Sequence, residues 1–136
     1  MMWLIRILLI VFILILIYST IKYIRSPKRR MEFALEKKRF YLMDDKNNIR
    51  KNFYLTYKGV LFEGEKYIDP EENVTGRISI FIWPQKTESL TGMLRKDFDF
   101  IELQLRHDYP DANIDWKSPI KDFLLNSDQQ NTPFHL

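Results

Sequence analysis

The chain of 136 residues has no cysteine, two histidines and four glycines. Without a thiol it carries no disulfide, no cysteine nucleophile and no thiolate metal site. The absence agrees with a reducing compartment. The histidines, His107 and His135, are far apart, and His107 closes an expected helix, where a cation favours the dipole. So few glycines include no phosphate-cradling loop, and no serine stands in a Gly-x-Ser-x-Gly elbow. These absences lead to an expectation of no catalytic residues, no metal and no cofactor.

Polar side chains are missing altogether from Ile7 to Ile17. The segment 1–24 reads as a membrane-spanning helix: Trp3 and Tyr23, suited to the headgroup boundary, would lie about 30 Å apart at 1.5 Å per residue, the thickness of the hydrocarbon core. The apolar run contributes roughly −3 to −6 kcal/mol to insertion, while Arg6 and Lys22 sit near the ends, where they can snorkel. Tyr18 belongs to the same anchor. A cleaved signal peptide would end in a pair of small residues. Here Ser19-Thr20-Ile21-Lys22 leads directly into a basic cluster, so the segment is expected to stay.

Between Lys22 and Arg39 stand eight basic residues against two acidic ones. The positive-inside rule puts the N-terminus outside and the rest in the cytoplasm. From residue 40 onward there are twelve Lys and Arg against sixteen Asp and Glu, so the folded part is acidic and nucleic-acid binding loses its support. Arg25, Lys28, Arg29, Arg30 and Lys37 are expected to face anionic headgroups. Asn73-Val74-Thr75 spells a glycosylation sequon and is read as chance.

After the span, Ser26-Pro27 is a helix-start signature. The expected juxtamembrane helix occupies 25–43, with a packing stripe of Met31, Leu35 and Leu42 flanked by Ala34 and Tyr41. Phe33 and Phe40 form a basic aromatic face on its other side. The domain, 44–125, reads as strands at Asn52–Tyr57, about Val60–Ile68 and Gly76–Trp83, a helix at Leu94–Asp108, a strand at Asn113–Trp116 and a helix at Ile120–Leu125. Lys58-Gly59 marks a hairpin or bend. Ile78, Ile80 and Ile82 alternate with Phe81 and Trp83, which predicts a strand covered on both faces. Asp69 to Asn73 is a polar loop, Ser118-Pro119 repeats the cap signature, and 126–136 reads as a loose tail. The class is one transmembrane helix plus a small α+β domain, ordered α-β-β-β-α-β-α after the span.

Two constellations remain. The aromatic block from Asn52 to Tyr67 exceeds the needs of so small a core, so Tyr54, Tyr57, Phe62, Glu63, Glu65 and Tyr67 make a candidate surface for a protein partner. The alternative is a metal-dependent hydrolase or nuclease using Glu63, Glu65 and Lys66, in which two carboxylates on one strand face would offer oxygens to Mg²⁺. The bland reading of these two is a solvated strand end with a glycine bulge at Gly64. Asp97, Asp99 and Glu102 read as the outer face of an amphipathic helix.

The anchor followed by PKRR, the stretch KNFYLTYKGVLFEGEKY (Lys51 to Tyr67), FIWP (Phe81 to Pro84) and DWKSPIK (Asp115 to Lys121) resemble the YsdB family of bacilli, named for the sigma-W pathway. The likeness runs from the anchor to about Leu125. It implies a single-pass cell-membrane protein connected with an envelope-stress regulon under an extracytoplasmic-function sigma factor, and it brings no catalytic residues. Together these readings give a membrane-anchored regulatory or adaptor module, with its partner and its oligomeric state left open.

Overall fold

The computed structural model describes residues 1–68, 76–127 and 132–135. The polar loop from Asp69, the sequon at Asn73 and part of the tail lie outside the described residues. Helix α1 (Met2–Ile24) buries none of its residues and is long and apolar enough to cross a membrane. Helix α2 (Pro27–Glu36) starts as its sequence dictates: the Ser26 hydroxyl accepts from the Arg29 amide at 3.4 Å, and Pro27 occupies the first position, where no N–H is needed.

The juxtamembrane helix ends earlier than its pattern suggests. Lys38 adopts a left-handed conformation (φ 56°), its amide bonds to the Leu35 carbonyl, and the Arg39 amide reaches back to the Ala34 carbonyl at 2.8 Å. This is a Schellman stop with lysine where glycine is usual. Tyr41–Met43 then forms a short edge strand, β1, antiparallel to β2 (Phe53–Tyr57). Tyr41 and Leu42 therefore belong to the sheet, and only Met31 and Ala34 of the expected stripe are buried on the helix. Phe40 leaves the proposed basic aromatic face and packs edge-on against Phe100 and Tyr57.

The remaining elements follow in the expected order: β3 (Val60–Ile68), β4 (Ile78–Pro84), α3 (Arg95–Asp108), β5 (Asn113–Trp116) and α4 (Ile120–Asn126). The five strands lie in the order β1-β2-β3-β4-β5, all antiparallel except the parallel pair β4–β5. A parallel pair needs a crossover, and α3 supplies it. β2 and β3 meet in a two-residue turn in which Lys58 (φ 50°) and Gly59 (φ 80°) are both left-handed, the type I′ geometry that matches strand twist. Pairing through Gly64 is continuous on both sides, so it is not a bulge.

Alternation sorts the sheet into two faces. Phe53, Leu55, Phe62, Ile80, Ile82 and Trp116 point toward α3 and α4, where Phe98, Ile101, Leu105 and Ile120 complete a fully or nearly fully buried core. Phe62 and Phe98 both meet the Trp116 ring edge-on, at 5.8 and 5.3 Å between centroids. α2 packs on β1 and β2 on the opposite face, where Thr56 is fully buried. Ser79 is buried on that face, but Phe81 and Trp83 stay half-exposed, so among the described residues β4 is not fully covered on both sides as its alternation suggests.

Three local expectations change. Asp97, placed on the outer face of α3, is 2% exposed: its carboxylate accepts the Leu94 amide at 2.8 Å and pairs with Lys58 at 2.7 Å. It caps the helix and pins the β2–β3 turn to it. Glu102 accepts from the Trp116 indole N–H at 2.7 Å, tying α3 to β5. The tail returns to the core: Phe134 is 2% exposed, bonds Met93 and Gly92 through its backbone, and lies 5.3 Å from Phe123. Pro119, not Ser118, is the N-cap of α4, with no side-chain cap bond.

Gly64 is glycine for a spatial reason. A Cβ there would stand 2.0 Å from the Phe53 ring, which lies across it from the paired strand. Gly64→Ala is expected to destabilise by about 1–3 kcal/mol, as overpacked cores do. Chemical unfolding of the full chain in detergent micelles should show this, with part of the loss recovered by adding Phe53→Leu. Lys38→Gly should stabilise the fold by about 1 kcal/mol in the same assay, because glycine enters the left-handed region without the Cβ clash.

Candidate functional site

The residues singled out between Asn52 and Tyr67 divide between the two faces of β2 and β3. Phe62 is fully buried and is removed from the candidate surface: its strand position points it into the core. Tyr57 lies on the same side, stacked on Phe100 at 4.7 Å, and is half-buried. Tyr54, Glu63, Glu65 and Tyr67 point the other way. Register places Glu63 between Tyr54 and Trp83, Glu65 beside Phe81, and Tyr67 beside Ser79. The open face therefore joins these four residues to Phe81 and Trp83, whose rings lie 5.9 Å apart. Those two were legible as strand residues, but only the register puts them beside the glutamates.

Glu63 organises the centre of this face. Its carboxylate accepts from the Asn52 amide at 3.1 Å, the Tyr54 hydroxyl at 3.4 Å and the Gln85 amide at 2.7 Å, three neutral donors. The charge on Glu63, with the hydrogen bond, raises the Tyr54 pKa above its ordinary value of 10.0. The face is thus polar at its centre, aromatic along one side and acidic.

Lys66 does not join Glu63 and Glu65. It lies on the core side of β3, where its ammonium donates to Asp44 at 2.5 Å, the Asp45 carbonyl at 3.2 Å and the Tyr109 hydroxyl at 3.3 Å. Tyr109 in turn donates to the other oxygen of Asp44. Both side chains of the ion pair are nearly fully buried, 1% exposed for Lys66 and 3% for Asp44. Burial, then the Asp44 hydrogen bond and charge, push the Tyr109 phenol well above its ordinary value. The sheet thus separates the components of the hydrolase reading, and no group of three or more His, Asp and Glu able to hold a metal occurs among the described residues.

Where α1 meets α2, Arg29 lies over the Tyr23 ring at 4.8 Å and Lys37 over Phe33 at 5.9 Å. Arg25, Lys28, Arg29, Arg30 and Lys37 are all exposed, as are Trp3, Arg6, Tyr18 and Lys22 along the apolar helix. Arg39, the last of the eight basic residues counted from Lys22, is folded back toward α2 by the Lys38 turn.

Residues 27–127 match the family described as Sigma-w pathway protein YsdB. The chain is also 46% identical to the Sigma-w pathway protein YsdB of Bacillus subtilis (strain 168) over 116 residues, covering 85% of this chain and 89% of that relative. No solved structure matches.

The buried pair yields two expectations. Lys66→Ala leaves Asp44 buried without its cation and should cost about 3–5 kcal/mol, whereas Lys66→Met combined with Asp44→Leu should cost far less, measured by chemical unfolding. Tyr54, Lys58 and Tyr109 all hold their protons more tightly than their ordinary values of 10.0 to 10.5. Their contribution is complete below about pH 10 and is lost as pH rises past it. Thermal midpoints should fall above that pH, and Tyr109→Phe should flatten the fall while costing about 1–3 kcal/mol at neutral pH.

Proposed function

The chain belongs to the YsdB family of sigma-w pathway proteins, and on that premise we propose that it is a membrane-anchored, non-enzymatic adaptor of that pathway. Helix α1 holds it in the cell membrane, the N-terminus lies outside, and the acidic α+β domain works at the cytoplasmic face. The basic collar after Ile24 supports this orientation.

The observation that carries the reading is the open sheet face. Half-exposed aromatic rings at Phe81 and Trp83, with Tyr54 and Tyr67, surround the hydrogen-bonded Glu63 on strands that the core holds rigid. Aromatic side chains on a fixed backbone lose little entropy on docking, and tyrosine and tryptophan dominate the energetics of interfaces. With Glu63, Glu65 and Asp115 on the same face, the partner is a protein surface that offers basic and apolar groups. The alternative hydrolase reading needs Glu63, Glu65 and Lys66 at one point, and the opposite orientation of Lys66 weighs against it.

The test uses the full chain in intact cells. A photoreactive phenylalanine in place of Trp83 or Tyr67 should give a discrete protein adduct, and the same probe in place of Lys96, exposed on α3, should not. Trp83→Ala with Tyr67→Ala should change the output of a sigma-W reporter while leaving the amount of membrane-bound protein unchanged. An equally strong adduct from position 96, or none from any position, would overturn the proposal.

A further inference from the structure

The chain turns twice just after the apolar helix: α2 begins at Pro27, and the left-handed Lys38 sends the backbone back beside it. Between these turns lies a groove of about 830 Å³. Arg25, Arg29, Arg30 and Arg39 line it, with Ile24 and Phe33 as apolar wall. Two carboxylates, Glu32 and Glu36, also border it, so the cations outnumber the anions.

Arg29 rests over the Tyr23 ring at 4.8 Å, and no protein oxygen holds any of the four guanidinium groups among the described residues. None forms an ion pair or donates a side-chain hydrogen bond among the described residues. Two other arginines differ: Arg95 donates to the Leu124 and Ser127 carbonyls at 2.6 and 2.5 Å, and Arg106 to the Ala112 carbonyl at 3.1 Å. A forked guanidinium without a protein acceptor matches the oxygens of a phosphate, and four arginines lining one groove favour an anion over a neutral ligand. The position decides the ligand's other half. Ile24, the last residue of α1, forms part of the wall, so the groove opens where an apolar helix meets the headgroup layer. Phe33 is 55% exposed beside it, ready to lie among the upper acyl carbons.

We propose that this groove holds one anionic phospholipid, its phosphate between the guanidinium groups and its acyl chains along α1. The collar is then a lipid site with a shape, in contrast to a diffuse positive charge. Arg39 distinguishes the two: it is brought in by the Lys38 turn and lies seventeen positions of chain order from Lys22. The proposal rests on the reading of α1 as a membrane span and is independent of the protein partner at the open sheet face.

Lipid retention by the purified full chain in detergent micelles, read by native mass spectrometry, tests it. Phosphatidylglycerol should be retained at one molecule per chain and at least tenfold more tightly than phosphatidylcholine with the same acyl chains. Arg29→Gln with Arg39→Gln should weaken it roughly twenty-fivefold, about fivefold for each charge near the membrane surface. Lys86→Gln with Lys96→Gln removes equal charge elsewhere and should change nothing. All four positions are exposed, so unchanged thermal midpoints should accompany either pair. Equal losses from the two pairs, or equal retention of both lipids, would overturn the site. Displacement of the lipid by millimolar inorganic phosphate would assign the groove to a soluble phosphate. Release of the chain from cell membranes by alkaline carbonate would instead overturn the anchor reading on which the proposal stands.

Discussion

The buried ion pair of Lys66 and Asp44 constrains the whole domain. A charge on the core side of the central strand is costly unless its partner is brought in with it, and the partner comes from the connection after β1. Tyr109, at the end of α3, closes the same network by donating to Asp44 while it accepts from Lys66. Three distant parts of the chain thus share one set of hydrogen bonds, and the edge strand β1 is held where the juxtamembrane helix would otherwise have continued. The compensation is geometric as well as electrostatic, because each charged oxygen of Asp44 has its own donor.

Around this point the sheet is divided in burial and polarity. One face is closed by α3 and α4 over the chain of rings Phe62, Trp116, Phe98, Phe123 and Phe134. The other is covered by α2 only at β1 and β2, which leaves β3 to β5 with Glu63 at the centre of a half-exposed aromatic surface. The side that carries the core is thus separate from the side that stays half-exposed. The same turn that ends α2 also brings Arg39 back toward the arginines that follow α1, so a single left-handed residue, Lys38, shapes both the sheet edge and the basic groove.

Much of this was legible in the residues because it is encoded over short distances. The apolar run of α1, the Ser26-Pro27 cap, the alternation in β2 to β4 and the amphipathic period of α3 each depend on neighbours within a turn or two of chain. The open face was half legible: of the six residues from the aromatic block, Tyr54, Glu63, Glu65 and Tyr67 share one face, and Phe62 and Tyr57 belong to the other. A strand exposes alternate residues, and an aromatic block read without its register cannot say which half is core. Asp97 misled in the same way, since a carboxylate on an apparently polar helix face became a buried cap once Lys58 was folded over it.

By itself the sequence determined that an apolar helix precedes a basic collar and an acidic α+β domain, because composition and periodicity are properties of the chain alone. The tertiary structure decided where α2 stops, that Lys66 opposes Glu63 and Glu65, that Phe134 fills the core and that Arg39 folds back toward α2. Those outcomes depend on contacts between residues far apart in order, 22 positions for Lys66 and Asp44 and 43 for Lys66 and Tyr109. Lys37-Lys38-Arg39 would continue a helix readily; pairing of Tyr41–Met43 with β2 makes the turn worth its backbone strain. No local signal carries that comparison, since the strand that wins it lies beyond the next loop.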